Sequence, residues 1–177
     1  IGNSTDFGNL TSSRSMIGGC SNSTRGLFFG GFTPSLIDNI DFITIASTGD
    51  ATDFGDLTLV RQSYGSVSNS TRGVFLGGSD PYTNTIDFVT ISSKGNAVKF
   101  GDRIEDLGGT VSASNSIKGL ILDSNRISFI TLASEGNAVY FGDLTTVSGR
   151  GSALASQTRV VTAIGTDGVT DPVNNIE

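Results

Sequence analysis

One ten-residue motif recurs along the chain and constrains its fold more than any other feature. It reads TGDATDFGDL over Thr48–Leu57, KGNAVKFGDR over Lys94–Arg103 and EGNAVYFGDL over Glu135–Leu144, and a related IGNSTDFGNL occupies Ile1–Leu10. The Phe-Gly pairs begin at residues 7, 54, 100 and 141, so the steps are 47, 46 and 41 residues. Periods of this size are typical of repeat proteins, in which each repeat is one supersecondary unit. The sequence predicts one domain, 1–177, with repeats at about 1–47, 48–93, 94–134 and 135–177.

The composition favours many short strands joined by tight turns. The chain has 24 Gly but only 3 Pro, and apolar residues make up 36% of it. Ser, Thr and Asn are abundant, and no window sustains a 3.6-residue apolar periodicity. Such a pattern predicts an all-β protein with almost no helix.

Each repeat reads as four strands, and the second repeat is the clearest example. Its strands are predicted at Gln62–Ser68, Arg72–Gly78, Ile86–Ser93 and Ala97–Asp102. The Gly95-Asn96 pair before the fourth strand predicts a two-residue hairpin, because Gly and Asn accept the positive φ of a primed turn. Strands three and four of every repeat are therefore expected to be antiparallel partners.

The strands differ in the faces they bury. Strand three carries apolar residues on both faces, as in Phe42–Ser47, which favours a position between neighbouring sheets. Strand one is rich in small residues, which suits sheets that converge on a common axis. These features predict an all-β β-propeller of four-stranded antiparallel blades, with strand one innermost. They also predict that Phe54, Phe100 and Phe141 occupy equivalent, mostly buried positions.

The wording of the second repeat resembles a known family. RGVFLGG (72–78), NTIDF (84–88) and GNAVKFGD (95–102) resemble a kelch repeat with Phe in place of the usual Trp. They are similar to kelch-like repeats of virion and tail-associated proteins from marine and cyanobacterial phages. The resemblance implies a kelch-like propeller. It weakens in the third repeat, where Leu122-Asp123 replaces Gly-Gly, and in the fourth, which keeps only Ile164-Gly165.

Charge and hydropathy exclude two classes of partner. The chain carries 11 basic and 17 acidic residues, a formal charge of −6, and its basic residues do not cluster. Nucleic-acid binding is not expected, because phosphate contacts need a basic patch. The longest apolar runs are five or six residues, so membrane insertion is not expected either.

The residue types also argue against catalysis, cofactors and metals. The chain has no His, and its single Cys20 aligns with core positions of the other repeats. Asp56, Asp102 and Asp143 recur with the repeat, which favours a role as acceptors of backbone N–H groups over a Ca²⁺ site or an acid–base pair. The basic residues that open strand two are predicted to pair with acids or cap strand ends. They are Arg25, Arg72, Lys118 and Arg159.

The loops between strands two and three are the candidate binding face. They vary most in length and sequence, and they hold all three prolines. The alternative is that they are plain solvent-exposed connections. The candidate partner-binding residues are Phe32, Pro34, Asp80, Pro81, Tyr82 and Asp167.

The leading functional hypothesis is a non-enzymatic structural or recognition protein. The resemblance implies a phage virion component, such as a tail, fibre or decoration module, that mediates assembly or host-surface attachment. Its partners would be other virion or surface proteins. The alternative is a carbohydrate-binding or adhesion module, extracellular or on a cell surface, with a host-surface glycan as ligand. Homo-oligomerisation is left open.

The two ends of the sequence predict how the array could close. Ile1–Leu10 carries a strand-four motif, whereas the fourth repeat supplies strands one and two, and Glu177 aligns with Asp41 near the start of strand three. The N-terminal strand is therefore predicted to join the same blade as Arg159–Gly165. A strand three from other residues or another chain would lie between them.

Overall fold

The computed structural model describes residues 2–62, 65–106, 108, 110–148, 150–166 and 176. These residues form strands and turns without a helix, which confirms the all-β prediction. The strands are β1 Gly18–Ser21, β2 Arg25–Phe29, β3 Asn39–Thr44, β4 Thr52–Asp56, β5 Gly65–Ser68, β6 Arg72–Gly78, β7 Thr83–Thr90, β8 Val98–Asp102, β9 Val111–Ser114, β10 Lys118–Thr131, β11 Val139–Ser148, β12 Arg150–Ala155 and β13 Val160–Thr166.

The strands form four antiparallel sheets of two to four strands, and each of the first three takes its last strand from the start of the next repeat. The first sheet has the order β1-β2-β3-β4 and the second β5-β6-β7-β8, so both follow the sequence as predicted. The third sheet has the order β11-β10-β9, and the fourth contains β12 and β13. The described sheets follow one another without closing into a ring.

Strand β10 of the third sheet is a hairpin. Its 14 residues would span about 45 Å if fully extended. However, the amide of Leu132, just after its end, donates to the carbonyl of Ile117, just before its beginning, at 2.8 Å. The chain turns back near Ser124, which has a φ of 58°. This element therefore contains the predicted strands two and three of the third repeat, joined by its shortest loop.

Ile176 pairs with the fourth sheet in the register expected for strand three. Ile176 forms an antiparallel bridge with Ala163 of β13. The equivalent residues of the first two sheets pair in the same way, Phe29 with Ile40 and Leu76 with Ile86. The alignment of the C-terminal residues with the start of strand three is therefore correct.

The first strands of the four sheets lie side by side, as predicted for the innermost strand. Ser66 Oγ donates to Gly19 O at 2.7 Å, and Ser112 Oγ donates to Ser66 O at 2.9 Å. A cavity of about 260 Å³ is lined by Gly19, Ser66, Ser112 and Ser152, one residue from each sheet. Small side chains are needed here because four strands surround one space.

The hydrophobic core consists of layers between successive sheets. Phe54 and Phe100 are 2% and 3% exposed and lie in the layers between sheets one and two and between sheets two and three. Phe141 is 66% exposed, so the prediction that it is buried is wrong. It faces the fourth sheet, whose two long strands do not reach over its ring. The layer between the third and fourth sheets is correspondingly small, built on Val111, Leu122 and Leu144.

The connection between strands three and four is longer than predicted. Strand β7 ends at Thr90 and β8 begins at Val98, and they pair antiparallel, but residues 91–97 separate them. The two-residue hairpin turn is therefore wrong, although the strand pairing is correct. Gly95 has a φ of 151°, but Asn96 has no positive φ. The Asn96 side chain instead accepts a hydrogen bond from the backbone amide of Asp56 in the preceding sheet.

Candidate functional site

A turn of the second sheet contacts the fourth strand of the first sheet through backbone hydrogen bonds. Gly95 N donates to Phe54 O at 2.9 Å, and Ala97 N donates to Asp56 O at 2.7 Å. The Asn96 side chain completes the contact, because its Oδ1 accepts the amide of Asp56 at 3.2 Å. We call residues such as 95–97 a docking turn and residues such as 54–56 an acceptor strand.

The same contact occurs three times in the described chain. Docking turn 49–51 lies on residues 7–9, which are outside the named strands, and docking turn 136–138 lies on acceptor strand 100–102. In these two contacts the amide of Asn9 donates to Asp50 Oδ1 at 2.8 Å, and that of Asp102 donates to Asn137 Oδ1 at 3.0 Å. The recurring motif therefore forms a backbone contact between successive repeats.

Close backbone approach explains the Gly of three of the four Phe-Gly pairs. A β-carbon on Gly8 would lie 2.3 Å from the carbonyl oxygen of Gly49. A β-carbon on Gly55 would lie 2.5 Å from Gly95 O, and one on Gly101 would lie 2.2 Å from Gly136 O. These distances are far below van der Waals contact, so a side chain would force the docking turn away.

The fourth acceptor strand, 141–143, differs from the other three. A β-carbon added at Gly142 would meet no atom of the described chain within 4 Å. Val139, Tyr140 and Phe141 beside it are 54%, 52% and 66% exposed. This strand therefore presents an uncovered aromatic edge.

A groove beside this edge separates the third and fourth sheets. It encloses about 460 Å³, and its walls include the apolar side chains of Leu120, Phe129, Phe141, Leu144 and Val160. Charged side chains lie at its rim, among them Lys118, Asp143 and Arg159. Sequence reasoning missed this groove.

The basic residue that opens strand two lies over an aromatic ring of strand three. The Arg25 and Arg72 guanidiniums lie 4.8 and 4.6 Å from the ring centroids of Phe42 and Phe88. Lys118 Nζ lies 3.9 Å from the ring centroid of Phe129. Stacking of this kind contributes roughly 0.5–2 kcal/mol. The predicted pairing with acids is present at one site, where Arg72 Nη2 lies 3.9 Å from Glu135.

These arginines also tie each sheet to the next. Arg25 Nη1 donates to Ile91 O at 2.9 Å, and Arg72 Nη1 donates to Leu132 O at 3.0 Å. Each acceptor lies just after strand three of the following sheet. The guanidinium therefore links two sheets, a role that was not predicted.

The candidate residues of the first two repeats are exposed, and the two loops that carry them converge. Asp80, Pro81 and Tyr82 lie at the surface, as do Phe32 and Pro34 in the preceding repeat. Asp167, the sixth candidate residue, lies outside the described residues.

The segment Arg61-Gln62 holds both loops. Gly31 N donates to Arg61 O at 3.0 Å beside Phe32, and Gln62 N donates to Ser79 O at 3.3 Å. Gln62 Nε2 also donates to Asp80 Oδ2 at 3.2 Å. The structure therefore brings five of the six candidates to one face.

A buried ion pair fixes the Arg61-Gln62 segment beneath this face. Arg61 Nη2 donates to Asp87 Oδ2 at 2.7 Å, and both side chains are fully buried. Thr58 binds the same carboxylate through its backbone amide at 3.2 Å and through its hydroxyl at 2.7 Å. Burial lowers the pKa of the Arg61 guanidinium, with Asp87 opposing and nearby Arg103 reinforcing that effect. This group positions the Arg61-Gln62 segment.

The first repeat contains the same group, and the third replaces it. Asp41 binds Thr11 Oγ1 at 2.7 Å and Arg14 Nη2 at 3.0 Å. In the third repeat, the positions of the Asp, the Thr and the Arg are occupied by Ser128, Ile104 and Leu107. All three residue types therefore change together, as expected for members of one buried network.

The substitute group of the third repeat is built around Arg103. Arg103 Nη1 donates to Asp123 Oδ1 at 2.8 Å, and Thr110 binds the same carboxylate oxygen at 2.9 Å. Burial raises the pKa of Asp123, against the opposing effect of Arg103. A β-carbon at Gly77 would lie 2.4 Å from Arg103 Nε, so the Gly-Gly of the second repeat leaves space for this side chain.

Among the described residues, the recurrent carboxylates of strand four bind side chains instead of the predicted backbone N–H groups. Asp102 Oδ1 pairs with Lys99 Nζ at 2.9 Å, and Asp143 Oδ2 accepts the hydroxyl of Tyr140 at 2.8 Å. The carboxylates that accept backbone N–H groups after strand four are Asp41 and Asp87.

Cys20 is the single cysteine of the chain and lies in the first strand of the first sheet. The Cys20 thiol packs against the layer between the first two sheets, and burial raises its pKa to about 12. In the described part of the chain, His, Cys, Asp and Glu side chains do not gather in groups of three that could hold a metal ion. Among the same residues, no helix is long and apolar enough to cross a membrane.

Comparison with known proteins shows no family for this chain. No protein-family model matches the chain, and no curated protein matches its sequence.

Proposed function

We propose that the four sheets are blades of a kelch-like β-propeller array. Three observations support this. The sheets follow one another in sequence, their first strands line one cavity, and the second and third sheets each contact the preceding sheet through a turn before their fourth strand. Loops between strands two and three of the first two sheets lie at one face, which is where propellers of this kind vary.

We propose that the protein is a non-enzymatic structural and recognition component of a virion, such as a tail, fibre or decoration module. The observation that carries the recognition role is the loop face, where exposed Phe32 and Tyr82 are held by the Arg61-Gln62 segment above a buried ion pair. Rigid, exposed aromatic anchors are typical of binding surfaces, because they lose little conformational entropy on binding. The virion context rests on the resemblance of the repeats to phage proteins.

Immunogold electron microscopy tests the virion role. Antibodies raised against the purified protein should label intact particles of the source virus at a fixed structural position, such as the tail or the capsid surface. Particles that stay unlabelled, while the antibody recognises the protein in the soluble fraction of the same lysate, would contradict the proposal.

A carbohydrate-binding module is the second candidate, and Tyr82 favours it. Its ring is 64% exposed and directly follows the exposed Asp80-Pro81 pair, so an aromatic face and a carboxylate stand together, as in many ligand sites. A glycan array separates the two candidates. Binding that is lost in Tyr82→Ala but kept in Tyr140→Ala, an exposed tyrosine of the third sheet, would establish the carbohydrate function. A virion component that acts only in assembly would show no such binding.

A further inference from the structure

Two cationic side chains meet on one aromatic ring at the contact between the first and second sheets. The Arg25 guanidinium lies 4.8 Å and Lys94 Nζ lies 4.9 Å from the centroid of the Phe42 ring. Among the described residues, no ion pair involves either cation. Like charges held this close repel each other, and a negative charge placed with them is stabilised. The ring therefore carries two positive charges that no described acid pairs with.

The equivalent site between the second and third sheets has an acid in place of the lysine. Arg72 lies 4.6 Å from the ring centroid of Phe88, and its Nη2 lies 3.9 Å from Glu135. Glu135 and Lys94 occupy the same position, directly before the Gly-Asn pair of the repeated motif. One reversal of charge therefore distinguishes the two sites, since the later one pairs a cation with an anion and the earlier one holds two cations.

The fold holds both cations of the earlier site in place. Arg25 Nη1 donates to Ile91 O at 2.9 Å. Lys94 directly precedes docking turn 95–97, whose Gly95 amide donates to Phe54 O at 2.9 Å. In the described part of the chain, no acceptor binds Arg25 Nη2 or Lys94 Nζ, and Lys94 is exposed while Arg25 is half-buried. Both side chains therefore offer free donors at an accessible position.

We propose that Arg25 and Lys94 together bind an oxyanion group of an external ligand, a carboxylate, a sulfate or a phosphate. A guanidinium binds such groups through parallel N–H bonds, and a lysine ammonium adds a point charge with further donors. The oxyanion takes the place that the Glu135 carboxylate has at the equivalent site. The site lies at the start of β2, whereas the loop face follows the end of the same strand, so the inference does not rest on the proposed function.

Titration with sodium sulfate, followed by NMR at constant ionic strength, tests the site. Sodium chloride makes up the ionic strength, because screening alone changes the interactions of exposed charges. The Nε–H signal of Arg25 and the backbone amide signals of Lys94 and Gly95 should shift together and saturate with one Kd. The signals of Arg72 should stay in place, because Glu135 already lies beside it. Equal shifts at Arg25 and Arg72, or no saturable shift at Arg25, would overturn the proposal.

Lys94→Glu and Lys99→Glu form a matched pair of variants with the same change of net charge. Lys94→Glu gives the first site the charges of the second, so sulfate should bind there at least about tenfold more weakly. Lys99 Nζ already pairs with Asp102 at 2.9 Å, so Lys99→Glu should bind sulfate at Arg25 like the natural chain. Unchanged binding in Lys94→Glu would overturn the proposal. An equal loss in both variants would overturn it too, since the effect would then be one of net charge.

Glu135→Lys tests whether the paired cations are sufficient. This variant places a second cation beside Arg72, as Lys94 is placed beside Arg25. The Arg72 signals should now shift with sulfate, and the Kd should lie within about tenfold of the value at Arg25. A variant whose other signals are unchanged but which gains no second site would overturn the assignment to the paired cations.

Further titrations identify what carries the oxyanion. Sodium acetate and sodium phosphate show which free anion the site prefers, and short oligosaccharides of galacturonate and of chondroitin sulfate present the same groups on a sugar chain. An oligosaccharide that binds at least about tenfold more tightly than its free anion supports a polysaccharide ligand, and equal affinity supports a free anion. Binding of either kind should disappear in Lys94→Glu, and binding that survives there would overturn the proposal.

Discussion

Gly101→Ala is the sharpest perturbation of the contact that joins the sheets. The new β-carbon would lie 2.2 Å from Gly136 O, so docking turn 136–138 must move by about 1 Å. Gly101 has a φ outside the left-handed region, so alanine adds a steric clash without backbone strain. The movement breaks or stretches the three hydrogen bonds of the contact. Each contributes about 0.5–1.5 kcal/mol, so the free energy of unfolding should fall by about 2–4 kcal/mol.

Gly142→Ala is the matched control, because it places the same methyl group in the same motif, where no described atom lies within 4 Å. Urea unfolding followed by far-UV circular dichroism, at a concentration that keeps the protein monomeric, measures both variants. With a slope of about 2 kcal/mol/M, the Gly101→Ala midpoint should fall by about 1–2 M. The midpoint of Gly142→Ala should stay within about 0.3 M of the natural chain. Equal effects at both sites, or none at Gly101, would refute the role of close approach.

Three further predictions follow from buried groups. In urea unfolding, Phe54→Ala should lower the free energy of unfolding by about 3–5 kcal/mol. Phe141→Ala should lower it by less than about 1 kcal/mol, because the Phe141 ring is mostly exposed. Similar losses for the two variants would contradict the layered core. Arg61→Met should cost about 3–5 kcal/mol because it leaves the Asp87 carboxylate buried and unpaired, and adding Asp87→Leu should restore much of that loss. Because the pKa of Cys20 is raised to about 12, its thiol should react slowly with a thiol reagent at pH 8. The stability that the protonated thiol contributes should be complete below about pH 9 and should be lost as the pH rises towards 12. Rapid labelling of the folded protein would contradict this.

Much of the fold could be predicted from local sequence. The apolar pattern and turn residues gave the strands of the second repeat to within a few residues, as Arg72–Gly78 and Val98–Asp102 show. The small residues of strand one indicated its inner position, and the alignment of the C-terminal residues with strand three anticipated the register of Ile176. Each of these depends on a repeat period or on neighbours a few residues apart.

The contacts between sheets could not be read in the same way. Asn96 was interpreted as a turn former, but it binds the backbone of a residue 40 positions away. Arg61 and Asp87 lie 26 residues apart, and only the fold brings them together. Phe141 was predicted as buried because the motif is the same, but burial depends on the sheet that follows. The predicted joining of the N-terminal strand to the fourth sheet within one chain is absent from the described residues, where Gly142 stays uncovered.

Amide hydrogen exchange at the docking turns tests the central claim, that each turn is bonded to the preceding sheet. The amides of Gly95 and Gly136 lie in long connections, where an exposed amide would exchange within seconds. Their bonds to Phe54 O and Phe100 O, both at 2.9 Å, predict protection close to that of the central strands. Both amides should therefore stay protected when the monomer is measured by NMR. Exchange of either at the rate of an unstructured peptide would contradict it.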